Sequence, residues 1–244
     1  MKPSIVQRLN AINHEFYQRF AKEFLRSRKV QQPGIPKALS LLGDFASLLD
    51  LGCGDGHVGH VLREGRLPGG LTGWHGVYVG VDFSDVLLGR AAPGLRLMHA
   101  DLTETAWVEE ARLPEGPFDA AILFSLLHHI PSRELRLATL RSARRLVKPG
   151  GACALSVWQL LHLERFRRKV VPWSEISLKE SDVEEGDILI DWQEGGRGIR
   201  YVHHFDRDEL VALCGAAGLT VHHEFRSDGE PGDLGLYLLT RSAP

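Results

Sequence analysis

The sequence predicts an α/β fold in which helices cover both faces of a mostly parallel sheet. Three successive apolar runs, at residues 48–51, 77–81 and 95–99, each end in residues that suit a nucleoside ligand. They are followed, in this order, by the turn Gly52-Cys53-Gly54-Asp55-Gly56, by Asp82 and by Asp101. Because the carboxyl ends of parallel strands meet at one edge of a sheet, these residues predict a nucleoside-binding edge.

The N-terminal part of the chain, residues 1–43, is predicted to form a helical cap. A helix over residues 5–28 carries Phe16, Phe20 and Phe24 at i+4 spacing, which is typical of an amphipathic helix. We interpret this aromatic stripe as core packing in preference to a cofactor contact. A second, short helix then leads into the first strand.

The later elements alternate between strand and helix. Strands are predicted near residues 46–50, 77–82, 95–99, 118–124, 152–158, 220–225 and 234–240, with the clearest helices near 132–146 and 206–217. The connection at residues 65–74 is long and glycine-rich, and we expect a mobile surface loop there. The segment at residues 160–200 has no clear period and is interpreted as a lid or insertion on the substrate side.

The glycine turn indicates which cofactor this edge favours. A dinucleotide fingerprint requires a glycine five residues after its first glycine, and that position holds His57. The chain has instead Asp50 two residues before Gly52, followed by a GxGxG turn. Together with the strand at residues 118–124 and the turn at residues 148–151, these motifs resemble the class I S-adenosylmethionine-dependent methyltransferases. A nicotinamide enzyme and a glycine turn that binds nothing are the alternatives.

The resemblance implies one methyltransferase domain over residues 1–244 and a Rossmann-like seven-stranded sheet, mostly parallel with an antiparallel edge strand. It also implies S-adenosyl-L-methionine as the cofactor. The predicted cofactor-binding residues are Asp50, Gly52, Cys53, Gly54, Asp82, Phe83, Asp101, Leu102, Phe124 and Ser125.

Within this set the resemblance assigns different roles. The glycine turn meets the methionine part of the cofactor, Asp82 accepts the ribose hydroxyls and Phe83 lies against the adenine. Asp101 reaches the adenine edge with Leu102 beside it. Asp50 orients the glycine turn, and the residues at the end of the fourth strand close the pocket. For either of the two later aspartates, a helix N-cap or a solvated strand end is the alternative.

A second resemblance concerns the methyl acceptor. Segments at residues 17–28, 125–130, 171–173 and 200–205 resemble, in that order, the tRNA wobble-uridine carboxymethyl methyltransferases. That family methylates a carboxylate, which is ionised at pH 7 and favours arginines over a base. The resemblance therefore implies Arg28 and Arg200 as a carboxylate clamp, and a small zinc-containing activator subunit as a partner. For Arg28 the alternative is a charge that meets the dipole at a helix C-terminus.

Adjacent histidines occur at residues 128–129, 203–204 and 222–223. Neighbours on a strand point to opposite faces, so such a pair cannot chelate one ion there, and no metal site is predicted. Either His128 or His129 is a candidate general base if the acceptor carries a proton. A histidine that bonds the backbone near the pocket is the alternative.

Composition constrains the compartment and the partners. Among the 244 residues, 43% are hydrophobic and 25% charged, and the net charge of −2 gives no overall basic excess for a nucleic acid. Residues 1–31 nevertheless carry seven basic side chains against two acidic ones, whereas residues 174–194 carry one lysine and eight acids. The three cysteines are far apart, and no apolar run is long enough for a membrane span or signal peptide. We expect a cytoplasmic protein.

Three functions therefore remain open. They are a methyltransferase for modified tRNA, a methyltransferase for a small-molecule hydroxyl, amine or carboxylate, and a nonenzymatic cofactor-binding scaffold on the same fold. The intact set of motif residues argues against the scaffold.

Overall fold

The computed structural model describes residues 1–27, 32–65, 74–104, 106–110, 113, 116–230 and 232–242. The strands are β1 (Ser47–Leu51), β2 (Val77–Asp82), β3 (Arg96–His99), β4 (Phe118–Phe124), β5 (Val147–Trp158), β6 (Val170–Val171), β7 (Asp187–Trp192), β8 (Gly198–His203), β9 (Leu219–Ser227) and β10 (Gly235–Ser242). The α-helices are α1 (Pro3–Ser27), α2 (Gly34–Leu41), α3 (His57–Glu64), α4 (Asp85–Leu88), α5 (Trp107–Glu110), α6 (Arg133–Leu146), α7 (Glu164–Arg167) and α8 (Arg207–Ala216). Short 3-10 turns lie between some of them.

Seven strands form the central sheet in the order β3-β2-β1-β4-β5-β10-β9. Strands β1 to β5 are parallel to their neighbours, and β10 is antiparallel to both β5 and β9. The predicted fold class is therefore confirmed, with the antiparallel strand lying one place inside the edge. The order reverses between β1 and β4, and ligands of open α/β sheets bind at such a switch point.

Apolar side chains cover both faces of this sheet. Leu48 and Ile122 are buried on one face together with residues of α2 and α3, while Leu49 and Leu123 are buried on the other with residues of α6 and α8. Consecutive residues of a strand point to opposite faces, so these strands bury apolar side chains on both faces of the sheet. That double burial explains the unbroken apolar runs in the sequence. None of the described helices has both the length and the apolar character needed to cross a bilayer.

The segment at residues 160–200, which we call the insertion, is folded and lies between β5 and α8 in the chain. It contains α7, three short 3-10 turns and most of a second sheet, whose strand order is β6-β7-β8. Leu189 packs with residues of α1, while its neighbour Ile190 packs with Leu160 and Val202 on the opposite side. Both sides of β7 are thus buried, which removes the alternation that marks a half-exposed strand. The predicted connection at residues 65–74 lies mostly outside the described residues, which resume at Trp74.

Helix α1 lies between the insertion and the main sheet. Its aromatic residues Phe16, Phe20 and Phe24 are buried, as predicted for core packing, and Trp192 of β7 joins their cluster. Asn13 fixes the helix to β8, because its amide accepts a hydrogen bond from Tyr201 N and donates to Tyr201 O, at 2.9 and 3.1 Å. The backbone of α1 leaves helical geometry at Phe20, where φ is −111° and ψ is 16°.

A buried ionic network joins the insertion to α6. Arg136 is 1% exposed and contacts Glu184 at 2.5 Å and Asp187 at 3.9 Å. Asp187 also accepts hydrogen bonds from Tyr201 Oη at 2.6 Å and from His203 Nδ1 at 2.7 Å. Three of these residues could hold a metal ion, because one ligand atom each of Glu184, Asp187 and His203 lies within 4.8 Å of the others. In this cluster, however, the protons of Arg136, Tyr201 and His203 occupy the sites that a cation would take, so an ion-pair network explains it.

His203 gives this network a pH dependence. Burial opposes its protonation, but hydrogen bonds to Asp187 and Glu209 outweigh burial, and the pKa of His203 is raised above its usual value. A raised folded-state pKa stabilises the fold fully below the unfolded pKa of about 6.5, and this contribution is lost as the pH rises through the folded-state pKa. We expect the difference in unfolding free energy between wild type and His203→Gln to shrink from pH 6 to pH 9. A difference in urea unfolding that is constant or grows with pH would contradict this.

Candidate active site

The glycine turn after β1 has a backbone that side chains would disturb. Gly52, Gly54 and Gly56 have φ values of +77°, +59° and +73°, in the left-handed region that favours glycine. A Cβ on Gly52 would lie 3.0 Å from Leu126 Cδ1, and one on Gly56 would lie 2.8 Å from Leu95 Cδ1. The turn therefore presents bare backbone at the carboxyl edge of the sheet, and α3 begins directly after it.

Asp82 ends β2 beside this turn. Its Oδ2 accepts a hydrogen bond from Gly54 N and its Oδ1 one from Ser84 N, both at 2.9 Å. The residue is 7% exposed, yet it lines the cavity. A carboxylate has roughly four lone-pair sites, so these two bonds orient a group that can also accept ribose hydroxyls.

Asp101 and Phe83 form the next part of the cavity wall, and His14 of α1 contacts both. The His14 ring stacks on Phe83 with centroids 4.2 Å apart, and its Nε2 lies 3.1 Å from Asp101 Oδ2. The other oxygen of Asp101 accepts hydrogen bonds from Thr103 N and Oγ1 at 2.9 and 2.7 Å. Burial opposes ionisation, but the bonds from His14 and Thr103 outweigh it and lower the pKa of Asp101. An adenine bound here would contact Phe83 and Asp101, the same two residues that His14 contacts.

The turn after β4 forms the opposite wall. Ser125 has a φ of 54°, its N donates to Ser156 O at 3.0 Å, and its Oγ accepts from Trp158 Nε1 at 3.1 Å. His129, four residues on, reaches the cavity, and its Nε2 lies 2.9 Å from Tyr17 Oη. Asn13 donates to the carbonyl of His129 at 2.9 Å. Helix α1 and this turn are thus tied together at the cavity.

One cavity unites most of the predicted site. Eight predicted residues line it, namely Gly52, Gly54, Asp82, Phe83, Asp101, Leu102, Ser125 and His129. The lining also includes Asn10, Asn13, His14 and Tyr17 of α1, which sequence reasoning missed. These four follow i, i+3, i+4, i+7 spacing, so a polar stripe on an otherwise aromatic helix was the signal that could have revealed them.

Three predicted cofactor residues lie behind the wall. Asp50 accepts a hydrogen bond from Tyr78 Oη at 2.6 Å, which agrees with an orienting role. Cys53 is buried against Gly80, and burial raises the pKa of its thiol. Phe124 packs against Tyr237 in the core, because strand alternation turns it to the face opposite Leu123. The Phe124 side chain is therefore not part of the described cavity wall, and a contact of its backbone with the cofactor stays a prediction.

The structure also separates the four predicted catalytic residues. His128 is fully buried, packs against Trp158 and faces Trp158 N with Nδ1 at 3.4 Å, which matches the alternative of a histidine that bonds the backbone near the pocket. Arg200 is 6% exposed and is not part of the described cavity wall. Its guanidinium lies over the rings of Phe16, Trp158 and Trp192 at 4.7, 5.3 and 5.1 Å. A direct contact between the Arg200 guanidinium and the acceptor carboxylate stays a prediction. Arg28 lies outside the described residues.

These residues fit S-adenosyl-L-methionine. The glycine turn can receive the amino-acid part against bare backbone, and the carboxylate of Asp82 matches the two hydroxyls of a ribose. Phe83 offers a flat apolar surface to adenine, and Asp101 offers acceptor oxygens to an amine. When bound, this cofactor supplies a methyl group on a positively charged sulfur that a nucleophile can take.

Comparison with known proteins identifies the family. The sequence profile of a family described as "Methyltransferase domain" matches residues 13–224. The chain belongs to this family. The methyltransferase is 27% identical over 211 residues to a protein of Encephalitozoon cuniculi that is named as a methyltransferase, covering 85% of this chain and 87% of that one. It is 28% identical over 146 residues to a tRNA (carboxymethyluridine(34)-5-O)-methyltransferase of Arabidopsis thaliana, covering 59% of this chain but 32% of that protein.

Solved structures confirm the fold of the methyltransferase. The 1,6-didemethyltoxoflavin-N1-methyltransferase of Burkholderia thailandensis, solved with S-adenosylhomocysteine, has a TM-score of 0.62 at 17% identity, covering 100% of this chain and 92% of that one. A Haloferax volcanii methyltransferase in complex with the Trm112 activator has a TM-score of 0.62 at 15% identity, covering 95% and 97%. The protein is an enzyme of the class I methyltransferases, and S-adenosyl-L-methionine is its cofactor.

Proposed function

We propose that the methyltransferase acts on the carboxymethyl group of a modified wobble uridine in tRNA and forms its methyl ester. The observation that carries this proposal is the 28% identity to a tRNA (carboxymethyluridine(34)-5-O)-methyltransferase over 146 residues, or 59% of this chain. A carboxylate acceptor is already ionised at pH 7, so the protein must position it and exclude water, and it needs no general base.

The outer face of α1 supports a polyanionic substrate. Arg8, Arg19, Lys22 and Arg26 are exposed on this helix, while its inner face lines the cavity. A tRNA that presents its wobble base to the cavity would bring neighbouring phosphates close to these cations. Neutralising phosphates with basic side chains releases counterions and gives the salt-dependent affinity of nucleic-acid binding.

Transfer of tritium from labelled S-adenosyl-L-methionine tests the proposal. Total tRNA and a nucleic-acid-free metabolite extract are offered separately, with heat-inactivated protein as the blank. We expect label in the tRNA fraction that ribonuclease converts to acid-soluble form. Label that appears only with the metabolite extract would contradict the proposal.

The alternative substrate is a small molecule. The acidic segment at residues 174–194 disfavours a phosphate-lined groove, and the Burkholderia neighbour is named for methylation of a small molecule. The two-acceptor assay separates these functions.

A small activator subunit belongs to the same proposal. The Haloferax neighbour is a complex with the Trm112 activator. We expect tRNA labelling to increase when an activator of this kind is co-expressed with the methyltransferase, and the assay is therefore run with and without it.

A further inference from the structure

Tyr17 and His129 form a pair in the cavity wall. Tyr17 Oη lies 2.9 Å from His129 Nε2, although 112 positions separate the two residues in the chain. His129 belongs to the turn that also carries Ser125 and Leu126, and the Leu126 side chain lies directly against Gly52. The pair therefore lies toward the methionine end of the cavity, where the methyl group is transferred.

The second ring nitrogen of His129 fixes the direction of these hydrogen bonds. His129 Nδ1 faces the carbonyl oxygen of Tyr201 at 3.4 Å. A carbonyl oxygen only accepts hydrogen bonds, so Nδ1 carries a proton. In a neutral imidazole, Nε2 then accepts the bond from the Tyr17 hydroxyl. In an imidazolium, Nε2 donates to Tyr17 Oη, and the Tyr17 hydroxyl can donate to another group.

We propose that Tyr17 is a catalytic residue that donates a hydrogen bond to the acceptor carboxylate, and that His129 is the positioning residue behind it. This inference rests on the proposed function. A carboxylate has only acceptor oxygens, so Tyr17 must donate to it and His129 must be the imidazolium. The charged ring then lies one hydrogen bond from the acceptor anion and orients the hydroxyl.

The chemical balance of the step agrees with these roles. One carboxylate oxygen accepts the Tyr17 bond, and the other forms the new bond to the methyl carbon. The methyl–sulfur bond breaks as this bond forms, and its electron pair stays on sulfur. No proton leaves the acceptor, so the pair orients it and stabilises its charge without acting as a base.

The ring of Tyr17 is held independently of its hydroxyl. It makes T-shaped contacts with the rings of Phe16 and Phe24, with centroids 5.2 and 5.0 Å apart. A phenylalanine at this position keeps these contacts, so Tyr17→Phe removes the hydroxyl with little disturbance of α1. This makes the variant a specific test.

We expect Tyr17→Phe to lower kcat/KM for tRNA by at least about 10-fold, while the Kd for S-adenosylhomocysteine, measured by calorimetry, changes less than about 3-fold. The matched control is Tyr237→Phe, which removes a buried hydroxyl that donates to Asp228 at 2.6 Å and is not part of the described cavity wall. This control should retain kcat/KM within about 2-fold. Equal activity of Tyr17→Phe and wild type would overturn the role of Tyr17.

The pH profile tests His129. Tyr17 of α1 and His128 of the same turn face its ring, Trp158 of β5 packs edge-on against it, and Arg200 lies beyond Trp158. Because the imidazolium is the active form, wild-type kcat/KM should fall as the pH rises. His129→Gln and Tyr17→Phe should both lose this fall. A wild-type rate that rises with pH would overturn the proposal, because it marks a neutral base and a proton-bearing acceptor.

Failure of this inference is distinguishable from failure of the proposed function. Wild-type protein that labels metabolites but not tRNA contradicts the proposed function. The proposed hydrogen bond from Tyr17 to the carboxylate of the tRNA is then contradicted as well. Wild-type protein that labels tRNA, together with a fully active Tyr17→Phe variant, contradicts the role of Tyr17 alone.

Discussion

Replacement of Asp82 by alanine should weaken binding of S-adenosyl-L-methionine by about 1.5–3 kcal/mol, or roughly 10- to 150-fold, because a charge-assisted contact to the ribose is lost. The structure adds a second reason, since Asp82 also holds the glycine turn through Gly54 N at 2.9 Å. Calorimetric titration measures the effect. Asp82→Asn, which keeps one acceptor oxygen, should bind with intermediate affinity.

The matched control for this prediction is Asp85→Ala. Asp85 lies three residues further on, its side chain is 77% exposed, and it is not part of the described cavity wall. We expect this variant to bind the cofactor as wild type does. Unchanged affinity of a folded Asp82→Ala variant, or equal loss in Asp85→Ala, would refute the placement of the ribose at Asp82.

Replacement of Arg136 by methionine should cost about 3–5 kcal/mol of unfolding free energy, because it leaves the charges of Glu184 and Asp187 without their buried partner. Arg136 also donates to the carbonyl of Ile130 at 3.2 Å, next to His129. The substitution therefore also removes a hydrogen bond that supports the cavity wall. Urea unfolding measures the effect. The control Arg145→Met lies on the exposed side of the same helix and should change stability by less than about 0.5 kcal/mol.

A loss below about 0.5 kcal/mol in Arg136→Met would contradict the role given to the network, since surface substitutions fall in that range. Such a result would mean that Glu184 and Asp187 find other partners or take up protons when the guanidinium is absent.

The sequence predicted the cofactor edge well because its signals are local. Glycines at fixed spacing, and an acid directly after an apolar run, report the end of one strand and need no knowledge of distant contacts. This locality explains why the sequence could predict four residues that line the cavity, namely Gly52, Gly54, Asp82 and Asp101. The side chain of Phe124 leaves the same edge because adjacent residues of β4 face opposite sides, whereas Ser125 and Leu126, which follow β4, line the cavity.

The acceptor side was less predictable because it is built from distant segments. His14 meets Asp101, and Tyr17 meets His129, only after α1 has packed across the carboxyl edge of the sheet. The sequence motif suggested His128 and His129 equally, and burial against Trp158 then separated them. Arg200 lies within an aromatic cluster whose members come from α1, β5 and β7, which no local spacing could reveal.

The bond that holds the transferred methyl group tests the proposed function most directly. A methyl ester opens in mild alkali and releases methanol, whereas N-methyl groups and methyl ethers survive this treatment. Transfer RNA labelled by the wild-type protein is therefore treated with dilute alkali, alongside tRNA that carries labelled N-methyl bases. We predict that most of the tritium from the first sample becomes volatile and that the second sample retains its label. Tritium that stays with the nucleotides of the first sample would contradict methylation of a carboxylate.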